Sequence, residues 1–176
     1  MAEALLRRHL AGADVTVSSA GLLPGGRPAT EHGRAAMAAR SLDLSGHLSR
    51  QLDASLVAQA ELIIGMAREH VREVAVIDRD ALARTFTLKE LVRDATAIGR
   101  RPDGEPLGDW LHRIAAGRRP ATLMGIGHDD AYDVDDPVGR DRKEYETTAQ
   151  ELDHLLARLV EMAWPAHVDQ RQELLR

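Results

Sequence analysis

Apolar residues along the chain alternate between helical and extended rhythms. Ala4, Leu5, Leu6 and Leu10 recur at helical spacing and predict a helix over 1–11, stopped by Gly12. Residues 14–19 (DVTVSS) are short and β-branched and read as a strand, and Gly21 to Pro28 form a Gly/Pro loop. Thr30 can cap a helix over 31–41, and Asp53 a short one over 54–60. Residues 61–66 (ELIIGM) read as a buried strand, 67–76 as a helix and 84–88 (RTFTL) as another strand. A helix follows from Lys89 to about Ile98. Leu107, Trp110, Leu111 and Ile114 share one face of a helix near 106–117. Residues 118–141 are irregular and acidic. The longest periodic run covers 142–163, with Ala149, Leu152, Leu155, Leu156, Leu159, Val160 and Ala163 as its apolar stripe. Trp164–Pro165 ends it, and 164–176 reads as a loose polar tail.

Strands alternating with helices, none at hairpin spacing, predict an α/β fold of three layers, a doubly wound parallel sheet with helices on both faces. One domain is expected over 1–163, with 93–131 as an insertion and 164–176 as a tail. Three readable strands are few for so many helices, and a helix starting at Met1 has no N-cap. Both features set the expectation that the sheet lacks a strand at its start.

Composition narrows the chemistry. A chain of 176 residues suits one domain with a real core. A net charge of −5 gives no global attraction to nucleic acid or anionic membrane. No apolar run approaches the ~18 residues of a membrane span, and residues 1–13 lack the layout of a signal peptide. A cytoplasmic protein is expected. The cysteine count is zero, which excludes disulfides, thiolate metal sites and any cysteine nucleophile within these residues.

Four constellations carry candidate chemistry. Asp136, in YDVDDPVG (132–139), precedes Pro137, which restricts its neighbour and presents the carboxylate from a stiff loop, as a general acid requires. An ordinary turn before a helix is the plainer reading of Asp-Pro alone. Asp129, Asp130, Asp133, Asp135 and Asp136 form an acidic cluster, but without the mid-loop Gly and terminal Glu of a calcium loop it reads as solvated. Ser18-Ser19-Ala20-Gly21 stands at a strand's carboxyl end, where open parallel sheets bind ligands. His47 and Arg50 are polar residues of a connector. Gly125-x-Gly127 is half a phosphate fingerprint and is set aside, and the histidines show no metal spacing.

Taken in order, these pieces resemble the low-molecular-weight protein tyrosine phosphatase family, whose fold also includes a branch of arsenate reductases. Met1-Ala2-Glu3-Ala4-Leu5-Leu6 resembles the helix after that family's phosphate-binding loop. Ser19-Ala20-Gly21 matches its Ser-Ala-Gly strand end. Gly46 to Leu52 resembles its His-x-x-Arg-Gln-hydrophobic segment, and Glu61 to Met66 the following buried strand. Asp136-Pro137, with Tyr145 and the last long helix, matches its general-acid loop and closing helix. The likeness covers about 1–92 and 132–163.

The resemblance implies a flavodoxin-like fold and phosphomonoester hydrolysis through a cysteinyl-phosphate, with no metal or cofactor. A C-x-x-x-x-x-R loop supplies the thiolate and holds the phosphate, and an Asp protonates the leaving group. It puts Asp136 at the general acid and Ser19 and His47 at residues that support the phosphate loop. The nucleophilic Cys and the loop Arg have no counterpart here. The chain is therefore expected to be inactive as given, its first central strand and loop missing through a truncated or mis-assigned start. A phosphorylated protein or a small phosphomonoester is the implied substrate once the loop is restored, and a homodimer is a further expected partner. A non-catalytic binding or regulatory relative is the alternative; an arsenate reductase, which shuttles a disulfide among several cysteines, ranks below it. Where phosphotyrosine-specific members carry aromatics, this chain has Leu22-Leu23-Pro24 and Val138-Gly139, which weakens stacking on a phenyl ring. The Trp110 helix in the insertion is either a lid or a buttress, and the buttress is favoured.

Overall fold

The computed structural model describes residues 1–118 and 130–174. It divides into two compact units, Met1–Leu52 with Asp135–Ala157, and Asp53–Val134 with Arg158–Arg176.

The first unit holds α1 (Ala2–His9), α2 (Glu31–Ala38) and most of α7 (Arg142–Ala163). Thr30 caps α2 by accepting the Gly33 N–H at 3.1 Å, as its sequence position implied. The same hydroxyl donates to the Tyr145 phenol at 3.0 Å. Leu5, Ala36, Met37, Tyr145, Ala149, Leu152 and Leu156 are buried and supply this unit's apolar interior. Asp153 on α7 receives Arg8 at 2.6 Å and His9 at 2.7 Å on one carboxylate oxygen. Burial opposes the Asp153 charge, but the hydrogen bonds and charges of Arg8 and His9 outweigh it and hold the carboxyl below its ordinary range.

Ala13 and Asp14 lie in a bend and 15–20 have no regular secondary structure, but exposure alternates along the segment, with Ala13, Val15 and Val17 half-buried and Asp14, Thr16 and Ser18 exposed. That is the rhythm expected of a strand, yet the segment forms no ladder among the described residues. Only Gly21 bridges, to Gln51, in parallel. The β-branched side chains set the local backbone; a strand also needs a hydrogen-bonded neighbour.

The second unit carries α3 (Ala54–Gln59), β1 (Ile63–Gly65), α4 (Arg68–Ile77), β2 (Thr85–Thr87), α5 (Leu88–Ile98), α6 (Leu107–Ala116) and α8 (Pro165–Leu174). β1 and β2 run parallel, with Ile63 opposite Thr85 and Gly65 opposite Thr87. The described sheet therefore has two strands where three were expected. α4 packs on both strands. Gly65 permits this approach, because a Cβ there would lie 3.0 Å from His70 Cβ and 3.1 Å from the Ala67 carbonyl oxygen. The fold is a parallel α/β arrangement, and no described helix is long and apolar enough to cross a membrane.

α6 is a buttress. Trp110, Leu111 and Ile114 are buried, and the helix packs against α5 and the 3₁₀ turn Arg79–Arg84. The Trp110 indole N–H donates to the Gly99 carbonyl at 3.2 Å. The end of the chain corrects the expected loose tail, since 165–174 is helical. Pro165 does interrupt α7, but a proline also suits the first turn of a new helix, where its missing N–H has no partner to lose.

Candidate functional site

The site residues expected from sequence, Ser19, His47 and Asp136, all belong to the first unit. Backbone pairing links the first two segments. The Gly21 N–H donates to the Arg50 carbonyl and the Leu52 N–H to the Gly21 carbonyl, both at 2.8 Å. Pro28 bridges Leu48 in the antiparallel sense, and the Gly26 N–H reaches the Ser49 carbonyl at 2.8 Å. Glycine is needed inside this tie: a Cβ on Gly25 would stand 2.8 Å from the Ser49 carbonyl oxygen.

Ser19 is exposed, and its hydroxyl donates to the Glu3 carboxylate. Glu3 also pairs with Arg7 at 2.7 Å, one turn along α1. Arg7 in turn donates to the Val17 carbonyl from Nε at 3.0 Å and from its terminal nitrogen at 2.7 Å. Arg50 donates to the Ser19 carbonyl at 3.2 Å. Ser19 and Arg50, two separate candidates in the sequence, are thus in direct contact. The role of Glu3 was not legible as chemistry. Its only sequence signal is the Glu3–Arg7 spacing, which any exposed helix can show.

His47 is half-buried on the connector, its own N–H bonded to the Leu44 carbonyl at 3.1 Å. Asp136 is exposed and Pro137 beside it is buried. The Asp136 carboxylate accepts the Val138 N–H at 3.0 Å, a local turn that fixes the side chain over its own loop. The Thr148 hydroxyl donates to the Asp135 carbonyl at 3.4 Å, and the Arg140 N–H to the Pro137 carbonyl at 2.9 Å. The loop is therefore braced from within and from α7. Asp136 makes no hydrogen bond to Ser19 or His47 among the described residues.

The acidic cluster is dispersed in use. The Asp133 carboxylate accepts the Arg68 N–H at 3.0 Å, where it caps the start of α4 and complements the helix dipole. Asp129 and the Gly125-x-Gly127 stretch lie outside the described residues. Among the described residues, no three His, Cys, Asp or Glu converge as metal ligands would. Tyr132, beside the cluster, sits between two guanidinium groups, Arg93 at 4.6 Å and Arg68 at 5.0 Å from its ring centre.

Aromatic residues are scarce around the candidates. Of the two Trp, two Tyr and one Phe in the chain, Tyr145 alone falls within the first unit. It is 4% exposed and bonded to Thr30. The large apolar side chains exposed near the candidate residues are aliphatic: Leu23, Leu48 and Val138.

A family profile described as low molecular weight phosphotyrosine protein phosphatase matches residues 1–99. A probable low molecular weight protein-tyrosine-phosphatase, EpsP, of Ralstonia solanacearum is 36% identical over 91 residues, which is 52% of this chain and 62% of that protein. Its counterpart in Ralstonia nicotianae is 39% identical over the same shares. The chain thus spans less than two thirds of the curated relatives it matches. Among solved structures, a YwlE mutant from Bacillus subtilis superposes with TM-score 0.64 at 28% identity, over 91% of this chain and 86% of that one. A YwlE arginine phosphatase mutant with a phosphorylated active-site serine gives TM-score 0.65 at 27% identity, over 91% and 84%.

Proposed function

The chain belongs to the low molecular weight phosphotyrosine protein phosphatase family, and we propose that it carries the acid and supporting parts of that family's site without its nucleophile. In this reading Asp136 is the general acid, and Ser19 and His47 support a phosphate-binding loop. The observation that carries it is the contrast between two facts. Asp136-Pro137 is retained on a braced turn leading into α7. Yet the 176 residues contain no cysteine.

The chemistry explains why the contrast matters. In the family's reaction a thiolate attacks phosphorus, the P–O bond to the leaving group breaks, and an Asp gives that oxygen its proton. Water activated by the same carboxylate then cleaves the cysteinyl-phosphate. The acid protonates the leaving oxygen in the same transition state in which the thiolate attacks, so it completes the family's route only together with that thiolate. The 176-residue chain on its own therefore does not turn over phosphomonoesters.

The family acts on phosphorylated proteins or phosphomonoesters. With a phosphate-binding loop supplied, we favour a phosphate carried on a non-aromatic group. The first unit offers no exposed Phe, Tyr or Trp to stack on a phenyl ring, and such stacking is worth about 0.5–1.5 kcal/mol where it occurs. One of the similar solved structures is described as an arginine phosphatase, which agrees with that preference. A second reading, a binding or regulatory relative that engages partners without chemistry, is favoured by the same zero cysteine count.

Acid-quenched labelling tests the proposal. The purified chain is mixed with a radiolabelled phosphomonoester, quenched and counted. No protein-bound phosphate is expected. Label retained on the chain at a stoichiometric level would overturn the reading.

A further inference from the structure

Three consecutive residues just ahead of Asp136 are each tied to a different part of the chain. The Tyr132 hydroxyl accepts from the Arg93 guanidinium on α5, and the 3₁₀ turn Asp130–Tyr132 packs on that helix. The Tyr132 ring is faced by two cations, Arg93 at 4.6 Å and Arg68 at 5.0 Å from its centre. The Asp133 carboxylate accepts the Arg68 N–H at 3.0 Å, at the first residue of α4. The Val134 N–H donates to the Met66 carbonyl at 2.8 Å, one residue beyond β1, and the Val134 side chain is buried. A hydroxyl, a carboxylate and a backbone amide thus hold one short segment at three points.

The phenol is the member of this set that apolar packing explains least. Tyr132 is half-buried, and an aliphatic side chain would cover the same ground. An aromatic ring beside guanidinium groups gains cation–π attraction, and its hydroxyl adds a directed bond. Arg93 is itself held, because its Nε donates to Asp94 at 2.6 Å, so the hydroxyl meets a fixed donor. Beyond Val134 the chain has only Asp135 to cross before Asp136. There the Asp135 carbonyl accepts the Thr148 hydroxyl at 3.4 Å, and the Asp136 carboxylate accepts the Val138 N–H at 3.0 Å. So short a run carries the direction set at 132–134 along the backbone into the Asp136 turn.

We propose that Tyr132 is a positioning residue for Asp136. Clamped by Arg93 and Arg68, it fixes the backbone that delivers the Asp136 carboxylate to its turn with Val138. A carboxyl group held in one orientation has less freedom to lose when it gives up its proton, which is what a general acid gains from such a clamp. That benefit rests on the reading of Asp136 as the general acid; the coupling of Tyr132 to the turn does not.

A double-mutant cycle read by NMR on the whole 176-residue protein tests the coupling. Asp136→Ala removes the acceptor of the Val138 N–H, so the Val138 amide proton resonance should move. That displacement is measured in the wild-type, Tyr132→Phe and Tyr132→Leu backgrounds. In Tyr132→Leu, where ring and hydroxyl are both lost, it is expected to shrink by about twofold or more. Tyr132→Phe, which keeps the ring beside the guanidinium groups, should fall between. If Tyr132→Leu does not fold, Arg93→Gln takes its place with the same expectation. Ser45 is the control: its N–H is held by the Asp43 carboxylate at 2.7 Å, and its displacement on Asp43→Ala should be the same in every background. No phosphate ester enters the measurement, so its failure is distinct from a failure of the phosphatase reading. The proposal is overturned if Asp136→Ala leaves Val138 unmoved in the wild type, if the Val138 displacement keeps its full size without the clamp, or if the Ser45 displacement shrinks in step with it.

Discussion

The guanidinium group of Arg118 lies 4.4 Å from the ring centre of Phe86, held over the end of β2 by a bidentate pair with Glu90 at 3.0 and 3.1 Å. Its remaining terminal nitrogen donates to the carbonyls of Leu82 at 3.1 Å and Thr85 at 2.9 Å. Both charged side chains are almost wholly buried, at 1% and 5% exposure. This is the contact that fixes the end of α6 to α5 and β2. A buried pair of this kind adds little net stability when intact, because desolvation offsets attraction, but removing one partner leaves a charge stranded.

Glu90→Ala is accordingly expected to destabilise the protein by about 3–5 kcal/mol. The double change Glu90→Leu with Arg118→Met should cost much less than the sum of the two single truncations. Urea unfolding of Glu90→Ala measures the first quantity, and of the wild type, Glu90→Leu, Arg118→Met and the double variant the second. Additive losses would show that the pair is not the tie described here.

Thr30 and Tyr145 offer a second, milder cycle. Tyr145→Phe removes one partly buried hydrogen bond and should cost about 1 kcal/mol. Thr30→Ala removes that bond and the cap on Gly33, so it should cost more, about 2 kcal/mol. Thr30→Ser should restore most of the loss. Thermal unfolding of the three variants separates the cap from the cross-chain bond.

Asp153 predicts a pH dependence. Its carboxyl is held below the ordinary range in the folded chain, where Arg8 and His9 outweigh the effect of burial. A depressed carboxyl contributes stability that is fully present above the unfolded-state value near pH 4 and is lost as pH falls through the folded-state value. The stability difference between the wild-type protein and Asp153→Asn should therefore be constant between about pH 5 and 6 and shrink on acidification below about pH 4. Unfolding midpoints measured across that range check the sign. A difference that grows on acidification would contradict it.

Two adjacent glycines should respond for different reasons. Gly25→Ala forces a Cβ against the Ser49 carbonyl and should cost about 1–3 kcal/mol through the strain of overpacking. Gly26 has φ +85° with open space around its Cβ position, so Gly26→Ala should cost about 1 kcal/mol from backbone strain alone. Amide exchange at Leu52, whose N–H bonds the Gly21 carbonyl, should quicken more in the first variant.

The helices were legible because their causes are local. Thr30 and Asp53 each cap the helix that follows, and apolar spacing marks the buried faces of α6 and α7. The strand expected over 14–19 had the right residues, but a ladder depends on a partner that no local pattern specifies. α8 was hidden by Pro165, which signals an end and a beginning equally well. The Arg118–Glu90 pair spans 28 positions and joins two charges whose neighbours suggest an exposed surface. Asp136 and Ser19 could be singled out by the company they keep in sequence, whereas the Glu3 and Arg50 contacts to Ser19 arise only when distant segments meet.

We propose that the chain keeps the family's acid, Asp136, and its supporting residues, Ser19 and His47, while its 176 residues contain no cysteine. Release of phenolate from an aryl phosphate, followed against substrate concentration for the purified protein and for Asp136→Asn, tests it most directly. No release above the buffer rate is expected for either protein. Saturable turnover by the wild-type chain that Asp136→Asn abolishes would contradict it.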